Sequence, residues 1–175
     1  KIVGSFAETG GSLKECKILG DKVNKNSGSM GVAFSSCTVP AAGKPTFKLG
    51  SDEMEFGVGI HGEPGRRRDK VQPAQEITNE LLGAIIEDLK LEDNDEILLF
   101  VNGMGGTPLT ELYLLYDNAK KTLDNKNIMV SRSLVGNYCT SLEMQGASIT
   151  LTKLDNELKK YWDSPVHTAA MRWGL

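Results

Sequence analysis

The chain has 175 residues, of which 39% are hydrophobic and 25% charged, and its net charge is −3 at pH 7. This composition is ordinary for a globular protein with one well-filled core. The acidic balance argues against a general nucleic-acid binder, because such proteins carry a basic excess or stripe. No apolar run approaches the ~20 residues that a membrane-spanning helix needs. We therefore expect a cytoplasmic protein that binds neither nucleic acid nor membrane.

The first part of the chain predicts two helices and one strand. Lys1–Ala7 has the pattern of the end of a helix, but no helix-start signal precedes it. This suggests that the sequence is a fragment of a longer chain. Ser12, followed three residues later by Glu15, has the signature of a capping box at the start of a second helix. The compact apolar run Met30–Cys37 predicts a buried strand. Two prolines and a glycine in residues 39–45 predict a loop.

Strands and helices alternate in the middle of the chain. Met54–Ile60 predicts a strand and Arg66–Lys70 a charged loop, and Pro73 suits the first turn of the following helix. Glu96–Val101 is a continuous apolar run, typical of a strand buried on both faces. The alternation predicts the α/β class, with a mixed, largely buried sheet packed by helices.

The last part of the chain continues the alternation. Thr107 suits the N-cap of a helix and Pro108 its first residue. Ile128–Val135 and Ala147–Leu154 predict two further strands, and Asp155 suits the N-cap of a short helix.

The three cysteines, Cys16, Cys37 and Cys139, include no Cys-x-x-Cys pair. This spacing excludes a zinc knuckle and a thioredoxin-type motif. Scattered thiols are typical of a reducing compartment, so we interpret them as packing residues and expect no metal site. Cys37 and Cys139 each precede a threonine in a Ser/Thr-rich turn, which leaves open that one of them lies near a site.

One histidine stands where chemistry is possible. His61 follows the strand predicted before it and lies between Gly59 and Gly62. Glycine has no Cβ, so another molecule can approach the backbone closely there. A neutral imidazole can act as nucleophile or base, and Glu63 could orient it through its second ring nitrogen. The residues alone leave open that His61 merely ends a strand and that Glu63 points elsewhere.

A glycine-rich turn is the second candidate site. Gly103, Gly105, Gly106 and Thr107 join a buried strand to a helix, where backbone N–H groups and the helix dipole can bind an anion. The turn is not a Walker A loop, which ends in Gly-Lys-Ser/Thr. It is not a dinucleotide fingerprint either, because Pro108 stands where the third glycine belongs. A plain turn into a helix is the alternative.

Several longer sequence motifs together resemble the dihydroxyacetone kinase family. The likeness runs essentially from end to end, and the motifs follow in the family's order. They are Cys37–Pro45, Met54–Gly65, Asn102–Tyr113 and Asp163–Thr168. The resemblance is strongest to the dihydroxyacetone-binding subunits of kinases that draw on the phosphoenolpyruvate phosphotransferase system.

The resemblance implies a covalent mode of substrate binding. His61 would add to the C2 carbonyl of dihydroxyacetone and form a hemiaminal, with Gly59 and Gly62 beside the substrate. The held hydroxyl would then accept a phosphoryl group and give dihydroxyacetone phosphate. The resemblance implies no cofactor on this chain: nucleotide and magnesium would lie on a nucleotide-binding partner subunit, recharged by a phosphocarrier subunit. It also implies a homodimer.

The family's full subunit is considerably longer, and its first half supplies another histidine and an aspartate to the substrate. Residues 1–175 therefore resemble the C-terminal part of a two-domain kinase subunit. Residues 1–50 would be the connection to the first domain, and residues 51–162 a second α/β domain that carries the substrate histidine.

Two alternatives remain from other functional classes. One is a non-catalytic paralogue that senses dihydroxyacetone and acts as a transcriptional co-activator. The other is a fatty-acid-binding protein of similar architecture. The small and polar residues around His61 disfavour it, because they argue against a long apolar pocket.

Overall fold

A computed structural model of the chain describes residues 1–61 and 63–174. The described residues form a six-stranded mixed sheet with helices on both faces, followed by a short two-stranded ribbon, which confirms the predicted α/β class. The helices are α1 (Ile2–Glu8), α2 (Leu13–Lys25), α3 (Ala74–Leu89), α4 (Leu109–Asp124) and α5 (Asn156–Asp163). The strands are β1 (Ser27–Ala33), β2 (Glu53–Phe56), β3 (Arg67–Lys70), β4 (Glu96–Gly103), β5 (Met129–Gly136), β6 (Gly146–Lys153), β7 (Val166–His167) and β8 (Arg172–Trp173). In this part of the chain no helix is both long and apolar enough to cross a bilayer.

The large sheet has the strand order β3-β2-β1-β6-β4-β5. Neighbouring strands are antiparallel except for β4 and β5, which are parallel. Strand β1 pairs with β6 on one side and β2 on the other, so residues before position 51 form part of the sheet that carries the histidine loop. The assignment of residues 1–50 as a connection to a further domain stays a prediction.

Side chains alternate across each strand, and each face of the sheet has its own core. On β4, Ile97, Leu99 and Val101 pack with residues of α3 and α4. Leu98, between them in sequence, faces the other side and packs with residues of α1, α2 and α5. A third cluster lies under the loops that follow β1, β2 and β4, and its members are Ala33, Cys37, Val58, Met104 and Met144.

Helix starts follow the predicted capping at two of three positions. Ser12 and Glu15 form the reciprocal capping box, since each side chain bonds to the other residue's backbone N–H. The Asp155 carboxylate accepts from the Leu158 N–H at 2.8 Å. The prediction of Thr107 as N-cap is wrong, because Pro108 occupies that position in α4. The Thr107 hydroxyl instead bonds to both the backbone carbonyl and N–H of Gly146, at 2.7 and 2.8 Å.

Two strand predictions and one loop prediction need correction. Strand β1 ends at Ala33 rather than Cys37. Strand β2 ends at Phe56 rather than Ile60, where Gly57 takes a positive φ of 78° and turns the chain away from the sheet. The segment Arg67–Lys70, predicted as part of a loop, is the edge strand β3 and pairs with all of β2. Charged side chains suit an exposed edge, since they discourage pairing with other chains.

Removal of side-chain volume from the core beside the sheet should destabilise the fold. Leu99 is fully buried on β4, so we expect Leu99→Ala to lower the free energy of unfolding by about 2–5 kcal/mol. Leu13→Ala is the matched control, because that side chain is 89% exposed and its loss should change stability by no more than about 0.5 kcal/mol. Urea unfolding followed by circular dichroism measures both. Equal effects of the two substitutions would contradict the assignment of Leu99 to the core.

Candidate functional site

His61 lies in a loop that joins the antiparallel strands β2 and β3. Its side chain is 79% exposed and belongs to none of the hydrophobic cores. The imidazole is therefore presented to solvent at one end of the sheet. This is the open position that the sequence predicted for it.

The Glu63 carboxylate holds His61 at two points. Its Oε1 lies 2.8 Å from the ring Nδ1, and its Oε2 accepts the His61 backbone N–H at 3.0 Å. Bonds from its own backbone N–H and from the His61 ring keep the pKa of the Glu63 carboxyl below its usual value. An ionised carboxylate only accepts hydrogen bonds, so this contact assigns the ring proton to Nδ1. The Nε2 lone pair is then left available to a ligand.

The position of the Glu63 carboxylate explains why residue 59 is a glycine. A Cβ added to Gly59 would lie 2.8 Å from the Glu63 Cδ and still closer to its Oε2. Glycine at this position leaves the space into which Glu63 folds to reach the histidine. The prediction assigned Gly59 to close approach by the substrate, and that role stays a prediction. Gly62, the other glycine predicted beside the substrate, lies outside the described residues.

Backbone hydrogen bonds close the base of the loop. The Gly57 N–H donates to the Gly31 carbonyl of β1 at 2.7 Å, and the Arg66 N–H donates to the Phe56 carbonyl at 2.6 Å. The Gly65 N–H donates to a carboxylate oxygen of Glu55 at 2.8 Å. Both ends of the loop are thus attached to the sheet.

A cleft of about 490 Å³ lies beside the loop, on the face of the sheet away from α3 and α4. Gly57, Gly59, Ile60 and Arg66 line it from the loop side. Its lining includes small polar side chains, which are Ser29, Asn102, Cys139, Ser148 and Thr150, and an apolar part formed by Met30, Val58, Phe100 and Met104. Hydroxyl and amide groups suit a small polar ligand better than a long apolar chain.

Another cleft of about 490 Å³ opens between the first turns of α3 and α4. Phe34, Val71, Ile77 and Leu114 are among its lining residues, whereas no residue of the His61 loop is. His61 itself lines neither cleft, but its loop neighbours Gly59 and Ile60 line the first one. The cleft that His61's own loop lines is therefore the better candidate site.

The glycine turn after β4 packs against the segment 137–146. A Cβ added to Gly103 would lie 2.9 Å from Leu112 Cδ1 and still closer to the Asn137 side chain. A Cβ added to Gly106 would lie 3.1 Å from the Gln145 backbone nitrogen and still closer to the Glu143 carbonyl. At Gly105, with φ of 121°, a Cβ would collide with the Leu142 carbonyl. The Gly106 N–H already donates to Met144 at 2.9 Å. The turn has a clear packing role, and anion binding by Gly103, Gly105, Gly106 and Thr107 stays a prediction.

Asn102 is a residue whose role the sequence reasoning missed. It is buried at the end of β4, and its Oδ1 accepts the backbone N–H groups of Tyr138 and Cys139 at 3.0 and 2.9 Å. Its Nδ2 donates to the Cys139 carbonyl at 2.9 Å. A polar residue at the end of an otherwise apolar strand was the available signal. Asn102 thereby places Cys139 on the floor of the His61 cleft.

The remaining titratable candidates lie elsewhere. His167 is an exposed residue of the β7–β8 ribbon, and Cys37 is buried with its sulfur 3.5 Å from the Ser141 hydroxyl. Over the two described stretches, no group of three or more histidine, cysteine or acidic side chains could hold a metal ion.

Comparison with known proteins defines the family. The Dak1 domain model matches residues 1–170, and the chain therefore belongs to the Dak1 family. The chain is 40% identical over 198 aligned residues to the dihydroxyacetone-binding subunit DhaK of the PEP-dependent dihydroxyacetone kinase of Escherichia coli, covering 99% of this chain and 56% of that protein. It is 47% identical over 157 residues to the corresponding subunit of the PTS-dependent dihydroxyacetone kinase 1 of Listeria innocua, covering 90% of this chain and 48% of that protein.

Structural comparison adds a relative with a different role. The solved structure of the dihydroxyacetone kinase operon co-activator Dha-DhaQ matches with a TM-score of 0.87 and 34% identity, over 94% of this chain and 51% of that one. This chain spans about half the length of the curated relatives that it matches. The resemblance to the dihydroxyacetone kinase family is confirmed.

Substitution of Gly59 should disturb the histidine without reaching the core. In Gly59→Ala the added methyl displaces the Glu63 carboxylate, so we expect the Nδ1–H tautomer of His61 to lose population several-fold to the Nε2–H tautomer. Nitrogen-15 NMR of the imidazole measures the ratio. Gly83→Ala in α3 is the matched control, because a Cβ there meets no atom within 4 Å. An unchanged tautomer ratio in Gly59→Ala would contradict the role assigned to Glu63.

Proposed function

We propose that this chain supplies the dihydroxyacetone-binding part of a dihydroxyacetone kinase and that Nε2 of His61 bonds to the substrate. The observation that supports the proposal is an exposed imidazole whose Nδ1 is engaged by an ionised carboxylate. It lies on a loop that lines a cleft with several small polar groups. The names of the similar bacterial subunits support the choice of substrate.

In this proposal the His61–Glu63 pair carries out the bond-forming step. The Nε2 lone pair adds to C2 of dihydroxyacetone, the C=O π bond breaks and the ring becomes an imidazolium. The nearby Glu63 carboxylate stabilises that positive charge through the Nδ1–H hydrogen bond. Loss of the Nδ1 proton, by way of Glu63 or water, and protonation of the alkoxide then give the neutral hemiaminal.

Covalent attachment suits a ligand of this size. Dihydroxyacetone has little apolar surface, so ordinary burial contributes little binding free energy. A bond to the carbonyl carbon replaces that contribution and excludes glycerol, which has no carbonyl. It also leaves both hydroxymethyl groups intact, and one of them can accept the phosphoryl group once a donor is positioned in line.

The donor is assigned to other subunits in this proposal. A nucleotide with magnesium lies on a nucleotide-binding kinase subunit, and a phosphocarrier subunit recharges it. This chain carries no cofactor, works in the cytoplasm and forms a homodimer. The PEP-dependent and PTS-dependent names of the similar subunits support this division of labour.

Replacement of His61 should abolish the adduct. With dihydroxyacetone labelled with carbon-13 at C2, we expect the wild-type protein to move the label from the carbonyl to the saturated region of the NMR spectrum. Native mass spectrometry should show the added mass of one substrate molecule. His61→Asn should show neither signal, whereas the control His167→Asn should show both. A full adduct in His61→Asn would remove the proposed nucleophile.

A second candidate function is that of a non-catalytic co-activator that senses dihydroxyacetone. The observation that favours it is the structural match to a co-activator, with a TM-score of 0.87. The two functions can be distinguished by mixing this chain and dihydroxyacetone with a complete phosphoryl-donor system. That system consists of phosphoenolpyruvate, the phosphocarrier proteins and a nucleotide-loaded kinase subunit from a related system. A kinase subunit yields dihydroxyacetone phosphate in this mixture, whereas a co-activator forms the adduct and yields none.

A further inference from the structure

We infer that Glu55 and Arg68 form a brace that holds the His61 loop in its substrate-binding position, an inference that rests on the proposed function. Neither residue contacts the imidazole in the structure. Their role is to position it, acting through the backbone of the loop.

The brace connects three parts of the hairpin. Glu55 of β2 and Arg68 of β3 are direct cross-strand partners. One carboxylate oxygen of Glu55 accepts the Arg68 Nε–H at 2.9 Å. The other oxygen accepts the backbone N–H of Gly65, in the last part of the loop, at 2.8 Å. The same side chain therefore bonds to the neighbouring strand and to the loop.

The loop is pressed closely against this carboxylate. A Cβ added to Gly65 would lie 2.7 Å from Glu55 Cγ and still closer to the Phe56 carbonyl. Gly65 is two residues after Glu63, which holds the imidazole. Release of Gly65 would therefore let the segment that carries Glu63 move relative to the sheet.

Burial makes the carboxylate a strong anchor. The Glu55 side chain is only 10% exposed, whereas that of Arg68 is 51% exposed. A buried carboxylate is costly unless its oxygens are hydrogen-bonded, and here each oxygen has a partner. Bonds to an ionised acceptor are stronger than neutral ones. Withdrawal of Gly65 would leave one of these oxygens without its partner, which disfavours opening of the loop.

Strand β3 also offers a matched control. Arg67, next to Arg68, donates to both carboxylate oxygens of Glu80 on α3, at 2.7 and 2.8 Å. Glu80→Ala removes a glutamate paired with an arginine of the same strand, but Glu80 makes none of the bonds that hold the loop. A general effect of a lost ion pair on the hairpin would appear in this variant too.

The test compares Glu55→Ala, Glu55→Gln and Glu80→Ala with the wild-type protein. The dissociation constant for dihydroxyacetone is measured from the carbon-13 adduct signal. Hydrogen exchange is followed at the Gly65 amide and at amides of β4 and β6. We expect Glu55→Ala to raise the dissociation constant about tenfold and to speed exchange at Gly65, with exchange in β4 and β6 unchanged. Glu55→Gln should be intermediate, because its amide oxygen can still accept from Gly65.

Glu80→Ala should change the dissociation constant by less than about twofold. If Glu55→Ala binds dihydroxyacetone as tightly as the wild-type protein while exchange at Gly65 is fast, the brace is overturned but the proposed function is not. A wild-type protein that forms no adduct would overturn the proposed function and the brace with it. If Glu55→Ala does not fold, Arg68→Gln replaces it, and wild-type affinity in that variant would also count against the brace.

Discussion

The pairing of β2 with β3 is the constraint on which the site depends. These strands are neighbours in the sheet, and the chain between them leaves after Phe56 and returns at Arg67, which are themselves partners. The closed base forces residues 57–61 and 63–66 out of the sheet as a loop. His61 lies near the middle of that loop and is therefore exposed. The position of the His61 loop beside the cleft follows from the pairing.

Several glycines in the two candidate sites are explained by contacts within the chain. Gly59 leaves space for the Glu63 carboxylate, and Gly65 leaves space for Glu55 and the Phe56 carbonyl. Gly105 and Gly106 lie against the backbone of residues 142–145. A glycine-rich word next to a histidine suggests room for a ligand, but here part of that room is occupied by the protein's own acceptor groups. One of these acceptors, the Glu63 carboxylate, determines which ring nitrogen of His61 remains available.

Local signals in the sequence predicted the fold well where the partners are close in the chain. The Ser12–Glu15 capping box, the Asp155 cap and the α/β alternation each depend on residues a few positions apart, and the structure confirms them. Strand β3 was missed because four charged residues show no apolar alternation, and its pairing with β2 depends on tertiary structure. Thr107 was misassigned because its hydroxyl bonds to Gly146, 39 residues away.

The same limit applies to the site. His61 could be selected from its neighbours in sequence, and the contact with Glu63 is local enough to be suggested. The burial of Glu55 could not be predicted, because it depends on Arg68 across the hairpin and on the return of Gly65 to the sheet. Asn102 was likewise missed because its partners lie 36 and 37 residues further along the chain.

The covalent mode of binding that we propose would make the two candidate functions physically compatible with one fold. In the proposed function the groups that this chain contributes to adduct formation are the His61 ring, the Glu63 carboxylate and a loop held in place, and these lie within residues 55–68. Phosphoryl transfer additionally needs a donor brought in line with the bound hydroxyl, which depends on surfaces that meet another protein. A chain can therefore retain recognition of the ketone while its partner surface changes. Similarity to both kinase subunits and a co-activator is what this separation of binding from transfer predicts.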